Sequence, residues 1–318
     1  MTATQSPRNH RPLGSLSVSP LSLGGNVFGW TADEADSFAV LDAYVAGGGN
    51  FIDTADAYSA WVPGNKGGES ETVLGNWLAS RGNRSDVVIA TKVGAHPDLK
   101  GLSAATIKSA VDGSLTRLRT DYIDLYYTHY DDESLEVGEF LTALDDLVRA
   151  GKVREIAASN ISAKRLEESL AFSAREGLAR YVALQPHYNL VSRDTYEGGL
   201  ADVAARHGLA AVPYFALASG FLTGKYRPGT TVDSARSGGA LKYVDTDRGQ
   251  RVLQALDTVA AAHEAEPATV ALAWLAAQPT VAAPIASART VEQLPALLAV
   301  ADLTLTEAEL ALLNEASA

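Results

Sequence analysis

The stretch "GGGNFIDTADAYS", from Gly47 to Ser59, joins a glycine-rich turn to a short apolar pair, Phe51 and Ile52, and then to two carboxylates and a phenol. A short apolar run that ends in polar side chains is typical of a parallel strand buried on both faces, with a functional site at its carboxyl end. The same arrangement recurs along the chain, so this stretch indicates the repeating unit of the fold.

Eight short apolar runs alternate with longer segments that have helical spacing. The strand-like runs are Leu21–Leu23, Phe51–Thr54, Val87–Thr91, Ile123–Thr128, Glu155–Ser159, Ala183–Gln185, Ala211–Pro213 and Ala282–Ile285. The helix-like segments include Glu34–Ala46, Glu71–Ser80, Ala104–Leu118, Val137–Ala150, Ala163–Glu176 and Gln250–Glu264. This alternation predicts an α/β fold, a (β/α)₈ TIM barrel, in preference to an open sheet.

Side chains that cap helices mark several of the predicted helix starts. Ser103 and Ser162 are predicted N-caps, because a serine oxygen can accept from the first free N–H groups of a helix. Capping boxes are predicted at three places, namely Thr31 with Glu34, Thr290 with Gln293, and Thr306 with Glu309. The last of these predicts an extra helix after the eighth strand.

The bulk composition sets the domain organisation. The chain has 318 residues, with 47% hydrophobic and 20% charged residues, which is ordinary for a globular protein. No Pro/Gly/Ser-rich linker divides it. We expect a disordered tail over residues 1–10 and a single barrel domain over residues 11–318.

Charge and residue counts exclude several classes of partner. The net charge of −12 would repel a polyanion, so we expect no nucleic-acid partner and no acidic membrane partner. With no cysteine and six scattered histidines, a disulfide framework, a thiolate zinc site and a resident metal are not expected. Neither a signal peptide nor a span-length apolar run is visible, and we expect a cytoplasmic protein, either a monomer or a homo-oligomer.

Ionisable side chains collect at the carboxyl ends of neighbouring strands. Asp53 ends the second run and Tyr58 follows it, Lys92 follows the third, and His129 follows the fourth. An ammonium next to a phenol favours the phenolate and so makes the phenol a better acid. Asp53 can hold Lys92 charged, and His129 can donate to a carbonyl oxygen. The set can polarise and protonate a carbonyl, but it has no good nucleophile, so a hydride must come from a cofactor.

Other motif scans give weaker alternatives. No G-x-G-x-x-G is present, and the stretch from Gly220 to Lys225 matches a P-loop poorly. Asp53 and Asp56 could form a glycosidase pair. They lie three residues apart in one loop, so we interpret Asp56 as a turn or helix-cap carboxylate.

Seven motifs carry a resemblance that extends from about Arg11 to Asn314. They are "GGGNFIDTADAYS", "ATKVG", "DLYYTH", "GKVREIAASN", "LQPHYNL", "GFLTGKY" and "ARTVEQL". In this order and at this spacing the chain resembles the aldo-keto reductases, most of all the bacterial members related to potassium-channel β subunits. The resemblance implies a (β/α)₈ barrel with an N-terminal β-hairpin and NADPH/NADP⁺ as cofactor.

The resemblance also implies roles for individual residues. Its catalytic tetrad falls on Asp53, Tyr58, Lys92 and His129, with Tyr58 as the acid. Its cofactor-binding positions, from the nicotinamide end to the adenosine end, fall on Ser159, Asn160, Gln185, Tyr214, Leu217, Ser219, Leu222, Gly224, Lys225, Ser287, Arg289, Glu292 and Gln293. The sequence departs from the usual pattern at three places, which are Phe215-Ala216 after the stacking tyrosine, Ser287 where glycine is common, and a hairpin that lacks a usual glycine.

The substrate and the role of the predicted reaction stay open at this stage. We expect Trp30, Trp61, Tyr130 and the segment Ser219–Asp247 to shape an aromatic, mostly apolar pocket. That segment is long enough to predict a loop that folds over the cofactor. The leading hypothesis is NADPH-dependent reduction of a small-molecule aldehyde or ketone. The alternative is a nicotinamide-binding regulatory subunit or redox sensor with little turnover.

Overall fold

Eight parallel strands follow one another around a barrel in the order in which they occur in the chain. The structure is a computed structural model, and it describes residues 9–232, 235 and 237–318. The strands are β1 (Arg11–Leu13), β2 (Leu16–Val18), β3 (Ser22–Gly24), β4 (Phe51–Asp53), β5 (Val88–Val93), β6 (Ala95–His96), β7 (Leu99–Lys100), β8 (Ile123–Thr128), β9 (Val153–Ser159), β10 (Tyr181–Gln185), β11 (Ala210–Ala211) and β12 (Ile285–Ala286). Eight of these strands form the barrel sheet, in the order β11-β10-β9-β8-β5-β4-β3-β12, and the other four form two hairpins, β1 with β2 and β6 with β7. The order of the barrel strands confirms the predicted (β/α)₈ arrangement.

Hydrogen bonds between the seventh and eighth barrel strands close the sheet on itself. Ala211 forms a parallel bridge with Val281. The Ile285 amide donates to the Pro213 carbonyl at 2.9 Å, which extends the same ladder. Because β12 also pairs with β3, each of the eight barrel strands has a neighbour on both sides, and the barrel sheet, which lies wholly within the described residues, has no open edge.

Helices cover the outside of the barrel. They are α1 (Glu34–Ala46), α2 (Glu69–Arg81), α3 (Ala104–Leu118), α4 (Val137–Arg149), α5 (Ala163–Glu176), α6 (Gly199–His207), α7 (Ser237–Val244), α8 (Asp247–Ala262), α9 (Pro267–Ala276), α10 (Leu294–Leu298) and α11 (Glu307–Ala316). Helix α11 is the predicted C-terminal addition. Within the described part of the chain, no helix is long and apolar enough to cross a membrane.

The N-terminal hairpin, β1 with β2, closes the end of the barrel opposite the carboxyl ends of the strands. Leu13, Leu16 and Val18 pack in one cluster with inward-facing barrel residues such as Phe51 and Leu125. The two-residue turn puts Gly14 at a φ of 56°, a left-handed conformation that glycine adopts readily. The hairpin therefore covers this end of the barrel interior, and the opposite end is the C-terminal rim, the ring formed by the carboxyl ends of the strands.

The predicted caps are confirmed in part. Ser103 accepts from the Thr106 amide, Ser162 accepts from the Arg165 amide, and Thr306 forms its capping box with Glu309. The prediction at Thr31 is wrong, because Asp33 caps α1. The prediction at Thr290 is also wrong, because this residue begins a 3₁₀ turn without a side-chain capping bond.

Two parts of the predicted loop Ser219–Asp247 are helical, and its positions 233, 234 and 236 lie outside the described residues. Ala218–Thr223 forms a 3₁₀ turn, and α7 occupies Ser237–Val244. The expected tail lies outside the described residues over positions 1–8, whereas Asn9 donates to the Ala301 carbonyl. The short hairpin of β6 with β7 was not predicted.

Candidate active site

The strand register brings the predicted polar residues to the C-terminal rim. Asp53 lies opposite Gly24 and Ala90, Lys92 lies opposite Tyr127, and Gln185 lies opposite Ser159. His129 directly follows β8, and its amide donates to the Val93 carbonyl at 2.9 Å. The side chains therefore point from neighbouring strands into one region.

Lys92 is the centre of the polar cluster. Its Nζ donates to Asp53 Oδ2 at 2.7 Å, to the Thr54 carbonyl at 2.7 Å and to the Tyr58 hydroxyl at 2.8 Å. The lysine side chain is completely buried. Burial lowers the pKa of Lys92, and the Asp53 carboxylate opposes that change. Three acceptors for three N–H donors fix the ammonium directly against the phenol.

Asp53 is held on both of its oxygens. Oδ2 accepts from Lys92, and Oδ1 accepts from Gln185 Nε2 at 2.8 Å. The Tyr58 hydroxyl lies 3.2 Å from Oδ2. The donors on both oxygens hold the buried Asp53 carboxylate in one orientation.

His129 is neutral near pH 7. Burial, together with the smaller effect of the Lys92 charge, lowers the pKa of His129 to about 3. Its Nδ1 is buried without a hydrogen-bond partner. Because an unpaired buried N–H is rarer than an unpaired acceptor, we assign the proton to Nε2. The ring of His129 lies 6.1 Å from that of Tyr58, centroid to centroid.

A second polar cluster follows β9 and β10. Asn160 Nδ2 donates to the His129 carbonyl at 2.8 Å and to Ser159 Oγ at 3.1 Å, and Asn160 Oδ1 accepts from the Tyr214 hydroxyl at 2.8 Å. Ser159 Oγ donates to the Gln185 carbonyl at 2.9 Å. Asn160 has a φ of 48°, a left-handed conformation that asparagine tolerates better than most residues. This cluster is joined to the first through Gln185 and His129.

One large cavity of about 1070 Å³ connects these clusters to the loops after β11 and β12. Predicted residues that line it are Asp53, Tyr58, His129, Ser159, Asn160, Gln185, Tyr214, Leu217, Ser219, Lys225, Ser287, Arg289, Glu292, Gln293, Trp61 and Tyr130. Four predicted residues are not part of the lining: Lys92, Leu222, Gly224 and Trp30. Lys92 is buried behind Tyr58 and Asp53, and Leu222 is also fully buried.

The far end of the cavity is polar and open. The Arg289 amide donates to Gln293 Oε1 at 2.8 Å, and Ser287 Oγ donates to Asn26 Oδ1 at 2.8 Å. A Cβ on Gly24 would lie 2.6 Å from Ser287 Oγ. Ser287 therefore fits because the facing position on β3 is a glycine.

Asp56 lies in a turn, which is one of its two predicted roles, and its side chain is buried there. It is 1% exposed, and neither carboxyl oxygen has a hydrogen-bond partner. Burial and then the nearby charge of Glu71 raise the pKa of Asp56 to about 8, and the charges of Arg117 and Lys92 oppose this rise only in part. A sequence pattern gives no signal for such burial in a loop.

Comparison with known proteins shows which family the chain belongs to. A family model described as the aldo/keto reductase family matches residues 20–318. The chain belongs to the aldo/keto reductase family. Across the described residues of this aldo/keto reductase, no group of three or more His, Cys, Asp or Glu side chains could hold a metal ion.

Curated relatives cover nearly the whole of this aldo/keto reductase. Protein tas of Escherichia coli (strain K12) is 35% identical, with 95% of each chain covered. Norsolorinic acid reductase B of Aspergillus parasiticus is 33% identical over 95% of this chain and 81% of the relative. The uncharacterized oxidoreductase YrpG of Bacillus subtilis (strain 168) is 34% identical over 94% of this chain and 92% of the relative. Oxidoreductase names among these relatives support an oxidoreductase activity for the chain.

Proposed function

We propose that the protein reduces an aldehyde or ketone to an alcohol with NADPH, and that Tyr58 is the general acid. One observation carries this proposal, namely the contact of the buried Lys92 ammonium with the Tyr58 hydroxyl at 2.8 Å. A positive charge at this distance favours release of the phenolic proton. Tyr58 also lines the cavity, so its hydroxyl can reach a bound carbonyl.

NADPH, when bound, would supply a hydride to the carbonyl carbon. The carbonyl oxygen, which gains negative charge as its π bond to carbon breaks, takes the proton of the Tyr58 hydroxyl. Lys92, held by Asp53, stabilises the phenolate that remains. His129, neutral and with its proton on Nε2, donates a hydrogen bond that orients the carbonyl oxygen. The phenolate regains a proton from solvent after release of the alcohol.

The volume of the cavity, about 1070 Å³, and the chemistry of its lining support a dinucleotide cofactor. Ser159, Asn160 and Gln185 place amide and hydroxyl groups beside the acid, where a nicotinamide carboxamide needs them. Tyr214 offers a ring for stacking in the same part of the cavity. Lys225 and Arg289 place positive charge farther along, where phosphates need it.

A preference for NADPH over NADH follows from Arg289 in this proposal. A guanidinium can grip a 2′-phosphate with two parallel hydrogen bonds, and a ribose hydroxyl offers it no charge. Arg289 precedes the 3₁₀ turn Val291–Gln293, and its side chain lines the cavity.

Oxidation of NADPH across a panel of carbonyl compounds tests the proposal. We expect turnover with at least one class of aldehyde or ketone and its loss in Tyr58→Phe. Tight NADPH binding without turnover on any carbonyl would instead support the regulatory or redox-sensing role.

A further inference from the structure

Large apolar side chains are exposed around the acid. Trp61 is 51% exposed and Tyr130 is 54% exposed, and both line the cavity next to Tyr58 and His129. Leaving two large rings in water forgoes the free energy that their burial would contribute. Exposed apolar rings in a cavity are typical of a surface that a ligand covers.

These rings are held in defined orientations. Trp61 packs edge-on against Trp30 at 5.6 Å and against Tyr58 at 6.1 Å between ring centroids. On the other side, Tyr130 stacks on His129 at 5.0 Å with an interplanar angle of 14°. Trp30 therefore supports Trp61 from outside the cavity lining, and His129 supports Tyr130. These two rings, one packed against Tyr58 and the other against His129, form what we call the aromatic slot (Trp61 and Tyr130).

Among the described residues, the part of the cavity lining that comes from β4 and from the segments after β4, β5 and β8 carries no ionised side chain other than Asp53. The segments after β4 and β5 add Ala57, Ala60, Ala95 and Pro97 to the lining. Asp53 is already paired with Lys92. The charged lining residues Lys225, Glu266, Arg289 and Glu292 all come from segments after β11 or β12.

We propose that the substrate is an uncharged carbonyl compound whose C=O group is attached to a flat, fused aromatic ring system that occupies the aromatic slot. This inference rests on the proposed reduction and specifies its substrate class. A flat ring system gains stacking contacts that a saturated ring of the same size does not. A carboxylate or phosphate on the substrate would lose its water among alanine, proline and indole side chains without gaining a cation.

Three matched aldehydes test this substrate class: 2-naphthaldehyde, its saturated counterpart decahydronaphthalene-2-carbaldehyde, and 6-formyl-2-naphthoate. We expect the naphthaldehyde KM in Trp61→Leu and in Tyr130→Leu to rise about 2- to 10-fold, the range for one aromatic contact. In the same two variants, the KM for the saturated aldehyde should change less than 2-fold. Trp61→Phe keeps an aromatic ring, so most of the rise in the naphthaldehyde KM should be absent in this variant. Leu312 is an exposed apolar residue on α11, and Leu312→Ala should leave this KM unchanged. The carboxylated aldehyde should show a KM at least 10-fold above that of 2-naphthaldehyde in the wild type.

A binding measurement separates this inference from the proposed function, since conjugation also changes the reactivity of the carbonyl. Calorimetry with the protein saturated by NADP⁺ should give a lower Kd for 2-naphthalenemethanol than for its decahydro counterpart, with the difference lost in Trp61→Leu. Equal Kd values for the two alcohols, or a carboxylated aldehyde that binds best, would overturn the inference. If no aldehyde is reduced but the difference in Kd is present, the proposed reduction fails and the aromatic slot stands.

Discussion

The two ends of the cavity are built in opposite ways. At one end, Asp53 and Lys92 are almost fully buried, and their hydrogen bonds connect them to Tyr58 and Gln185. At the other end, Arg289 is partly exposed, and Glu292 and Gln293 are exposed. The first end is rigid before any ligand arrives, whereas the second depends on a ligand to engage its charged side chains.

This difference follows from what each end is proposed to do. Proton transfer needs an acid whose neighbours are already oriented, because reorganisation during the reaction would raise the barrier. Recognition of a phosphate needs a positively charged group that can reach the ligand, and at a partly exposed position the cost of keeping that group charged is low. Mutations at the buried end should therefore have large effects on both kcat and stability, and mutations at the open end should change mainly cofactor affinity.

The largest effect is expected for Lys92→Met. Loss of general acid catalysis typically reduces kcat by about 10²- to 10⁴-fold. Breaking a buried ion pair also leaves Asp53 without its charge partner, which costs on the order of 3–5 kcal/mol. We expect loss of carbonyl reduction and a lower Tm, measured by steady-state kinetics and calorimetry.

The double variant Asp53→Asn with Lys92→Met separates these two effects. Removing both charges should recover part of the lost Tm, because no unpaired buried charge remains, but should not recover kcat. If the double variant regained both stability and activity, Lys92 would not support the acid.

The next effect is smaller and belongs to the open end. Arg289→Ala should weaken NADPH binding about 10- to 100-fold, the range for a charge-assisted contact of about 1.5–3 kcal/mol, with little change in NADH binding. Fluorescence titration of both cofactors measures this difference. Arg175→Ala, at an exposed arginine on α5, is the matched control. Equal weakening of both cofactors would contradict the assignment of Arg289 to the 2′-phosphate.

A pH-dependent effect on stability is expected at Asp56. Its pKa is raised from 3.8 to about 8, so between these values the folded state binds the proton and the unfolded state does not. The free energy of unfolding therefore falls as the pH rises through this window. In Asp56→Asn this fall should be absent, and the variant should gain up to a few kcal/mol over the wild type between pH 4 and pH 8. Chemical denaturation at pH 4.5, 6 and 8 measures the slope, and parallel slopes for the two proteins would contradict a protonated Asp56.

The smallest effect is expected from ionisation of His129. Because its pKa is lowered to about 3, it stays neutral across pH 5–8 and should contribute no limb to the pH profile of kcat. His129→Gln, which keeps a donor at a similar reach, should lower kcat while leaving the shape of that profile between pH 5 and 8 unchanged. A limb near pH 6.5 that disappears in this variant would show that the imidazole titrates during turnover.

Much of the barrel could be predicted because its elements have simple patterns. Runs such as Ile123–Thr128 are buried on both faces and read as continuous apolar stretches, and α3 and α5 have serine caps at the predicted positions. The placement of Lys92 and His129 at one rim then follows from parallel strands alone.

Other features depend on tertiary contacts that a local pattern does not contain. Helix α9 (Pro267–Ala276) is apolar on nearly every side, so it has no 3.6-residue periodicity to detect. Asp56 resembles a loop carboxylate, but the fold buries it beside Glu71. Trp30 and Trp61 lie in two different loops. The sequence predicts that both shape one pocket, but not that Trp30 packs against Trp61.

Single-turnover reduction by Tyr58→Phe tests the central claim most directly, since the ring is kept and only the hydroxyl is removed. The variant and the wild type would be loaded with NADPH, mixed with an aldehyde that the wild type reduces, and followed by loss of NADPH absorbance. Tyr122→Phe, in a tyrosine that precedes β8 at the opposite end of the barrel, is the control. We predict an NADPH Kd within about 3-fold of wild type and a reduction rate lower by about 10²- to 10⁴-fold. A rate above half of the wild-type value would contradict the assignment of Tyr58 as the acid.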